Sequence, residues 1–355
     1  MENVEELLRG LVKEGVSDIH FKVRRPPLQR FQGELIPTDL PELSAEDTED
    51  MAKKVLGPEA WARFVENQEA DSSYSLPGMC RFRVNVFKQR GTVSIIMRII
   101  PFNVPSLEEL RVPEVAKKIA TLHRGLVLVT GVVGSGKSST LAAMIRFINE
   151  NKQCHIVTLE DPIEFLHRDQ KSSINQREVS VDTQSFSRAL KGVLRQDPNV
   201  ILVGEMRDVD TMATALTAAE SGHLVLSTLH TADCKETINR LVDAFPTNQE
   251  KQIRLQLSQN LAAVISQRLL PRADGKGRVM APEIMVVNAA ISEYIMDPLQ
   301  GGSMLDNMAK GREQYGSVTF DQTLLDLYEQ ELITKEVALQ NATSPNDLRL
   351  KMAIG

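Results

Sequence analysis

Gly131 to Ser138 read G-V-V-G-S-G-K-S, which satisfies the pattern G-x-x-x-x-G-K-[ST]. Glycines take backbone conformations closed to other residues and let a ligand come close. Successive N–H groups then point inward as an anion nest. A helix that follows adds the positive end of its dipole. Lys137 would reach the β- and γ-phosphates of a nucleoside triphosphate such as ATP, and Ser138 would offer its hydroxyl to Mg2+. The candidate phosphate-binding residues are Gly131, Gly134, Ser135, Gly136, Lys137, Ser138 and Ser139. At average glycine usage such a match arises by chance in roughly one chain in a hundred of this length. The context sharpens it: the apolar run GLVLVT precedes the motif, and Leu141, Met144, Ile145 and Ile148 mark an amphipathic helix behind it.

Hydrolysis needs more than a phosphate cradle; it needs a metal and an oriented water. Three places could supply them. LEDPIEF puts Glu160, Asp161 and Glu164 at a strand tip, VILVGEMRD ends at Gly204 and Glu205, and STLHT brings His230 to the same edge. Ligands of open α/β sheets bind at those carboxyl ends. A carboxylate there can hold Mg2+ through water or polarise the attacking water. Each residue also has a plainer reading. The acids of LEDPIEF could solvate a loop, Glu205 could pair with Arg207, and His230 could be a satisfied turn histidine. His223 reads as structural, and His20, His123, His155 and His167 have no partner at metal-ligand spacing.

The elements that must carry these residues are legible in outline. The runs GLVLVT, HIVTLE, NVILVG and HLVLSTLH are nearly all apolar, as strands buried on both faces are. Helical patterns between them predict repeated βα units and a parallel sheet. Upstream, Val4, Leu7, Leu8, Leu11 and Val12 fall at helical spacing, while Ile19, Phe21 and Val23 alternate. RFRVNVFKQRGTVSIIMRIIP reads as two strands joined around Gln89, Arg90 and Gly91, so the first hundred residues predict a small α+β domain. PFNVPSLEELRVP carries three prolines and reads as a linker. Beyond about Pro271 the pattern is mainly helical, clearest in AISEYIMD and FDQTLLDLYEQELI. The expected division is 1–100, a linker 101–120, an α/β core 121–270 and a mainly helical region 271–355.

The chain has 355 residues, enough for two or three domains with full cores. Its formal net charge of -6 disfavours a dedicated nucleic-acid binder, and no aromatic-basic stretch argues otherwise. The start, MENVEELLRG, carries acids where a signal peptide needs bases, and no run approaches the ~18 apolar residues of a spanning helix. A cytoplasmic protein is expected. Cys80, Cys154 and Cys234 are isolated, which disfavours a zinc knuckle or a disulfide framework.

These segments together carry a family resemblance. GVVGSGKSST, VTLEDPIEF, RQDPNVILVGEMRD and GHLVLSTLHTADCKETINRLVDAFP resemble the secretion ATPase superfamily of type II secretion and type IV pili. SDIHF, RFRVNVFKQRG and NQREV extend the likeness over nearly the whole chain, which is most similar to the pilus retraction ATPases of the PilT and PilU type. The tail from TFDQTLLDLYEQ onward looks like the PilU branch. The resemblance implies a RecA-like P-loop motor domain, a PAS-like N-terminal domain and a cytoplasmic homohexamer. It makes Glu160, Asp161 and Glu164 an acidic box, Glu205 the catalytic carboxylate and His230 a γ-phosphate sensor. It offers Arg81, Arg83 and Arg98 as charge-stabilising fingers, a task suited to a planar, always-charged guanidinium. It further implies an inner-membrane platform protein as partner, recruitment to the inner face of the cytoplasmic membrane, and a second retraction ATPase as a further partner.

Three departures qualify the likeness. Val132 and Val133 stand where the family usually carries proline and threonine, and Met206 where leucine or valine is usual. The AIRNLIRE signature of PilT-type enzymes is replaced by AISEYIMD, with Ser292 and an acidic or apolar neighbour in place of its arginines. That favours an accessory, PilU-like motor. About 120 residues precede the motor region and three cysteines cannot make a tetracysteine zinc site, which points to retraction rather than assembly. The competing expectations are a nucleotide-binding partner that stabilises a cognate motor, an assembly or secretion ATPase, and a ring that moves nucleic acid.

Overall fold

The computed structural model describes residues 4–100, 103–299 and 302–354. Pro101 and Phe102, where the expected linker begins, lie outside the described residues, as do the first three residues. The chain divides into two compact units. One runs to Asn103 and includes Glu164–His167; the other holds Val104–Ile163 and everything from Arg168 onward.

The first unit is a six-stranded antiparallel sheet with helices on one face. Its strands are β1 (Val16–Phe21), β2 (Leu28–Phe31), β3 (Glu34–Pro37), β4 (Glu69–Leu76), β5 (Cys80–Gln89) and β6 (Thr92–Ile100), in the order β3-β2-β1-β6-β5-β4. Period-two alternation decides the faces. Ile19, Phe21, Phe82, Val84, Val86, Ile95 and Met97 are buried with Met51, Ala52, Val55 and Phe64 of the helical segment Ala45–Asn67. Ser44 and Asp47 start that segment with a reciprocal capping box. Gly57, at φ +71° just before Pro58, breaks it into two helices.

The second unit is built on a seven-stranded sheet. To the four expected strands, β7 (Gly125–Thr130), β8 (His155–Glu160), β10 (Val200–Val203) and β11 (Leu224–Leu229), it adds β9 (Ser173–Glu178), β12 (Leu261–Pro271) and β13 (Arg278–Val286). The order is β13-β12-β7-β11-β10-β8-β9, with only β13 antiparallel to its neighbour. Strand β13 therefore lies inside the region expected to be mainly helical, and the expected boundary at residue 270 falls inside β12, one residue before its end. From Ala289 onward the remaining elements are helices.

Both faces of this sheet are covered. Leu126 and Leu128 pack into one core with the helices Phe186–Val193, Val209–Glu220, Cys234–Asp243 and Glu250–Asn260. Val127 and Val129 face the other core, with Leu141, Met144, Ile145 and Ile148 of the helix Lys137–Asn151. Those four side chains are the apolar stripe expected behind the phosphate motif. Burying each stabilises by roughly 1.5–3 kcal/mol. Leu107, Val112, Ala116 and Ile119 belong to the same core, so the second half of the expected linker is packed structure. The tail forms a smaller cluster, with Leu324, Leu327, Ile333, Ala338 and Leu348 against Leu270, Val279 and Ala281.

Candidate nucleotide site

Parallel pairing in order puts the ends of β7, β8, β10 and β11 on one edge of the sheet, and the expected site residues follow those ends. At β7 the backbone turns sharply. Gly131 has φ +143°, Gly134 +77° and Gly136 +91°, all in the region that favours glycine. Gly136 is the N-cap of the helix Lys137–Asn151, so the loop opens onto a helix N-terminus. Ser138 is exposed and Ser139 half-buried at its first turn.

The glycines are not equivalent. A Cβ on Gly134 would meet nothing within 4 Å, whereas one on Gly131 would lie 2.5 Å from the Gln267 carbonyl oxygen and from Ser135 Oγ. Gly134→Ala should therefore lose only the conformational cost of about 1–2 kcal/mol, at most about thirtyfold in nucleotide affinity. Gly131→Ala must also displace β12, and its affinity should fall by clearly more than Gly134→Ala. Titration of both variants with a fluorescent ADP analogue checks the order.

Lys137 is buried, and its ammonium reaches back into the loop. Nζ donates to the carbonyl oxygens of Gly131 (2.9 Å) and Val132 (3.1 Å) and lies 3.5 Å from His230 Nδ1. Burial lowers its pKa, and the charge of Glu205 pulls it partly back. Ser135 Oγ is buried in the same loop without a hydrogen-bond partner. A buried hydroxyl without a partner in a glycine loop fits a site that an anion completes.

Glu205 stands two residues beyond the end of β10, after Gly204, and its side chain is only 15% exposed. It forms an ion pair with Arg207, and its Oε2 lies 3.5 Å from His230 Nε2. His230 thus stands between Glu205 and Lys137. The plain surface-pair reading of Glu205 describes only one of its contacts. Glu160 ends β8 and accepts from Thr158 Oγ1 (2.7 Å) and Gln176 Nε2 (3.0 Å), while Asp161 is exposed and its charge acts on Arg207. Glu164 falls with the first unit, so of the acidic box only Glu160 and Asp161 stay with the motor sheet. Among the described residues no three His, Cys, Asp or Glu side chains form a metal-ligand cluster. Magnesium bound with a nucleotide does not need one, because phosphates and water fill most of its shell.

Gln267 of β12 was not anticipated. Fully buried, it donates from Nε2 to the Ser135 carbonyl (2.6 Å) and accepts from Thr140 Oγ1 (3.0 Å). It thereby clamps the phosphate loop to the first turn of its helix. The sequence signal was the polar pair Ser266-Gln267 inside an apolar run. A cleft of about 270 Å³ opens beside the loop, lined by Val132, Val133, Gln267, Arg268, Arg278 and Asn341 among others.

In the first unit the three arginines share the sheet face opposite the helices. Arg83 sits directly across from Arg98, and Arg81 two residues along from Arg83. Arg98 Nε donates to Asp18 Oδ1 at 2.9 Å, and Arg30 lies 3.8 Å from the other Asp18 oxygen. Burial pushes the Asp18 carboxyl up, but the Ser17 hydroxyl and the Arg98 guanidinium outweigh it and hold it below the usual aspartate range. Arg81 donates to Ser73 and Ser75, and Arg83 is exposed.

A phosphate loop after the first motor strand, with acids and a histidine at the ends of neighbouring parallel strands, defines the P-loop ATPases. The family of type II/IV secretion system proteins matches residues 2–349. A twitching motility protein of Neisseria gonorrhoeae is 45% identical over 322 residues, covering 91% of this chain and 86% of its own. The type IV pilus ATPase PilU of Pseudomonas aeruginosa is 41% identical over 351 residues, covering 99% and 91%. The crystal structure of a pilus retraction motor PilT with bound ADP superposes with a TM-score of 0.87 at 43% identity, covering 99% and 100%. The chain belongs to the type II/IV secretion system family, among its PilT/PilU-type ATPases.

No helix among the described residues is long and apolar enough to cross a membrane. The AISEYIMD segment, except its last residue Asp297, lies in the helix Ala289–Met296, with Ile291, Tyr294 and Ile295 buried and Ser292 Oγ donating to the Ser258 carbonyl (2.9 Å). Met296 is 45% exposed.

Proposed function

We propose that this chain is the subunit of a homohexameric, ATP-hydrolysing motor that drives type IV pilus retraction. The observation that carries the chemistry is the line Glu205–His230–Lys137 at the sheet edge, with the glycine loop beneath it. In this reading Gly131, Gly134, Ser135, Gly136 and Ser139 present backbone amides to the phosphates, and Lys137 exchanges the loop carbonyls for the β- and γ-phosphates. Ser138 would hold Mg2+ through its hydroxyl, and Glu160 and Asp161 would act on it through water. Bound Mg2+ would supply charge neutralisation at the phosphates. Glu205 orients and deprotonates the attacking water, and His230 contacts the γ-phosphate. Arg81, Arg83 and Arg98 serve as charge-stabilising fingers, and Glu164 as the third acid of the acidic box. Asp18, by holding Arg98, limits the freedom of that guanidinium.

The working division is a PAS-like domain 1–100, a connection 101–120, a RecA-like core 121–270 and a C-terminal region 271–355. The motor works in the cytoplasm, at the inner face of the membrane, on a platform protein. The loss of both arginines from the AISEYIMD helix supports an accessory role beside a second retraction ATPase. Deleting the gene and counting surface pili tests the direction of the motor. Excess pili on cells that no longer move over surfaces are the expected outcome. Bald cells would make it an assembly enzyme.

A further inference from the structure

Beneath the line of Lys137 and His230 lies a buried chain of hydroxyls that the reaction as described does not use. Thr130 is the last residue of β7, immediately before Gly131, and Thr231 immediately follows His230. Thr130, Thr231, Thr237 and Ser266 are all buried. Thr237 stands in the first turn of the helix Cys234–Asp243 and is where the two arms meet. Its Oγ1 lies 2.7 Å from the Asp233 carbonyl, 2.6 Å from Thr231 Oγ1 and 3.4 Å from Thr130 Oγ1. Thr130 Oγ1 is in turn 2.6 Å from Ser266 Oγ of β12.

Proton counting orders this chain. A threonine hydroxyl has one hydrogen and two lone pairs. With the Thr237 hydrogen on the Asp233 carbonyl, the 2.6 Å bond must be donated by Thr231. Thr237 therefore accepts from the residue next to His230 while it touches the residue that leads into the phosphate loop. Buried polar networks that are fully satisfied fix one geometry, because every alternative leaves a polar atom unpaired away from water. Thr237 thus bonds the turn that carries His230, whose ring lies 3.5 Å from Lys137 Nζ, and packs its hydroxyl 3.4 Å from Thr130, the residue that leads into the phosphate loop.

We infer that Thr237 is a positioning residue for ATP hydrolysis, fixing the His230 turn against the phosphate loop. The inference rests on the reading of His230 as a γ-phosphate contact. A misplacement near 1 Å at such a site can cost about a hundredfold in rate, so loss of one anchoring bond should cost about tenfold.

The test is a set of variants of the full chain, Thr237→Val, Thr237→Ser, His230→Ala and Thr237→Val/His230→Ala. Each is assayed for steady-state ATP turnover, for binding of a fluorescent ADP analogue and for thermal melting. Thr237→Val should lower kcat about tenfold, with KM and ADP affinity within about threefold of the parent. Thr237→Ser, which keeps the hydroxyl, should recover most of that loss. In the His230→Ala background Thr237→Val should cost nothing further, since the residue acts through His230. Parental turnover in Thr237→Val beside an impaired His230→Ala overturns the inference and leaves the reading of His230 standing. Equal impairment of the serine and valine variants, or an undiminished loss in the His230→Ala background, also overturns it. Parental turnover in His230→Ala removes the reading of His230 and this inference with it. Should Thr237→Val fail to melt cooperatively, Thr231→Val deletes the same bond from the turn side, and the same outcomes apply.

Discussion

Glu205→Gln binds ATP as the parent does and turns it over about a hundred- to a ten-thousandfold more slowly, the range that removal of a general base produces. The two side chains have the same shape, so the stub at the end of β10 and the packing of buried Met206 beside it stay as they are. What changes is the second oxygen. A carboxylate accepts hydrogen bonds at both oxygens and can take a proton from water, whereas an amide offers one acceptor and two donors. Arg207, 68% exposed, loses its charged partner, but pairs of that kind contribute about 0–1 kcal/mol, so the melting temperature should barely move. Phosphate release measures the rate, and titration with a fluorescent nucleotide measures the binding. Equal rates for Glu205→Gln and the parent would remove hydrolysis from this carboxylate. The chain would then fit the alternative of a nucleotide-binding partner that stabilises a cognate motor.

That residue was legible because strand ends are legible where strands are buried on both faces. Strands β7, β8, β10 and β11 are central, so each reads as a nearly all-apolar run, and the polar residues that follow the run stand at the ligand edge. The other three strands gave no such signal. Strand β9 (SINQRE) lies at the sheet edge, paired only with β8 and largely uncovered, so it needs no apolar pattern. Strand β12 follows the helix Glu250–Asn260 at once, without glycine or proline to mark the change. Strand β13 carries Pro282 and the buried Glu283, both of which argue against a strand. The proline is tolerated because β13 is the opposite edge, with β12 as its partner strand and a bridge to Val318 made by Ile284 rather than by Pro282 on its outer side.

The site divides the same way. A motif announces Lys137, and strand ends announce Glu205 and His230. The residues that hold these three in place announce nothing, because their contacts are made across the fold. Gln267 meets Ser135 from 132 residues away, and Thr237 meets Thr130 from 107. In the first unit, alternation places Arg81 and Arg83 on one face, between buried Phe82 and Val84. That Asp18 holds Arg98 appears only once β1 and β6 pair, 80 residues apart.

Lys137→Ala separates binding from chemistry in the opposite sense to Glu205→Gln. It should lose nucleotide affinity by at least about tenfold and turnover by about a thousandfold or more, a loss that saturating ATP does not repair. The ammonium is the one cation seen inside the loop, and its present partners are carbonyl oxygens that a phosphate would outbid as acceptors. Removing it leaves those carbonyls without their donor, so some loosening of the loop is expected. The fold should nevertheless survive, because Gln267 still ties the Ser135 carbonyl to Thr140 and the helix behind keeps its buried stripe. Lys137→Arg should not restore turnover. A guanidinium is a larger, planar fork and cannot place a compact point charge between the Gly131 and Val132 carbonyls and His230 as the ammonium does. Near-parental turnover in Lys137→Ala, with melting unchanged, would mean that the polyphosphate binds elsewhere. His230 and Glu205 would then face no substrate, and the motor would have to be sought at another surface of the chain.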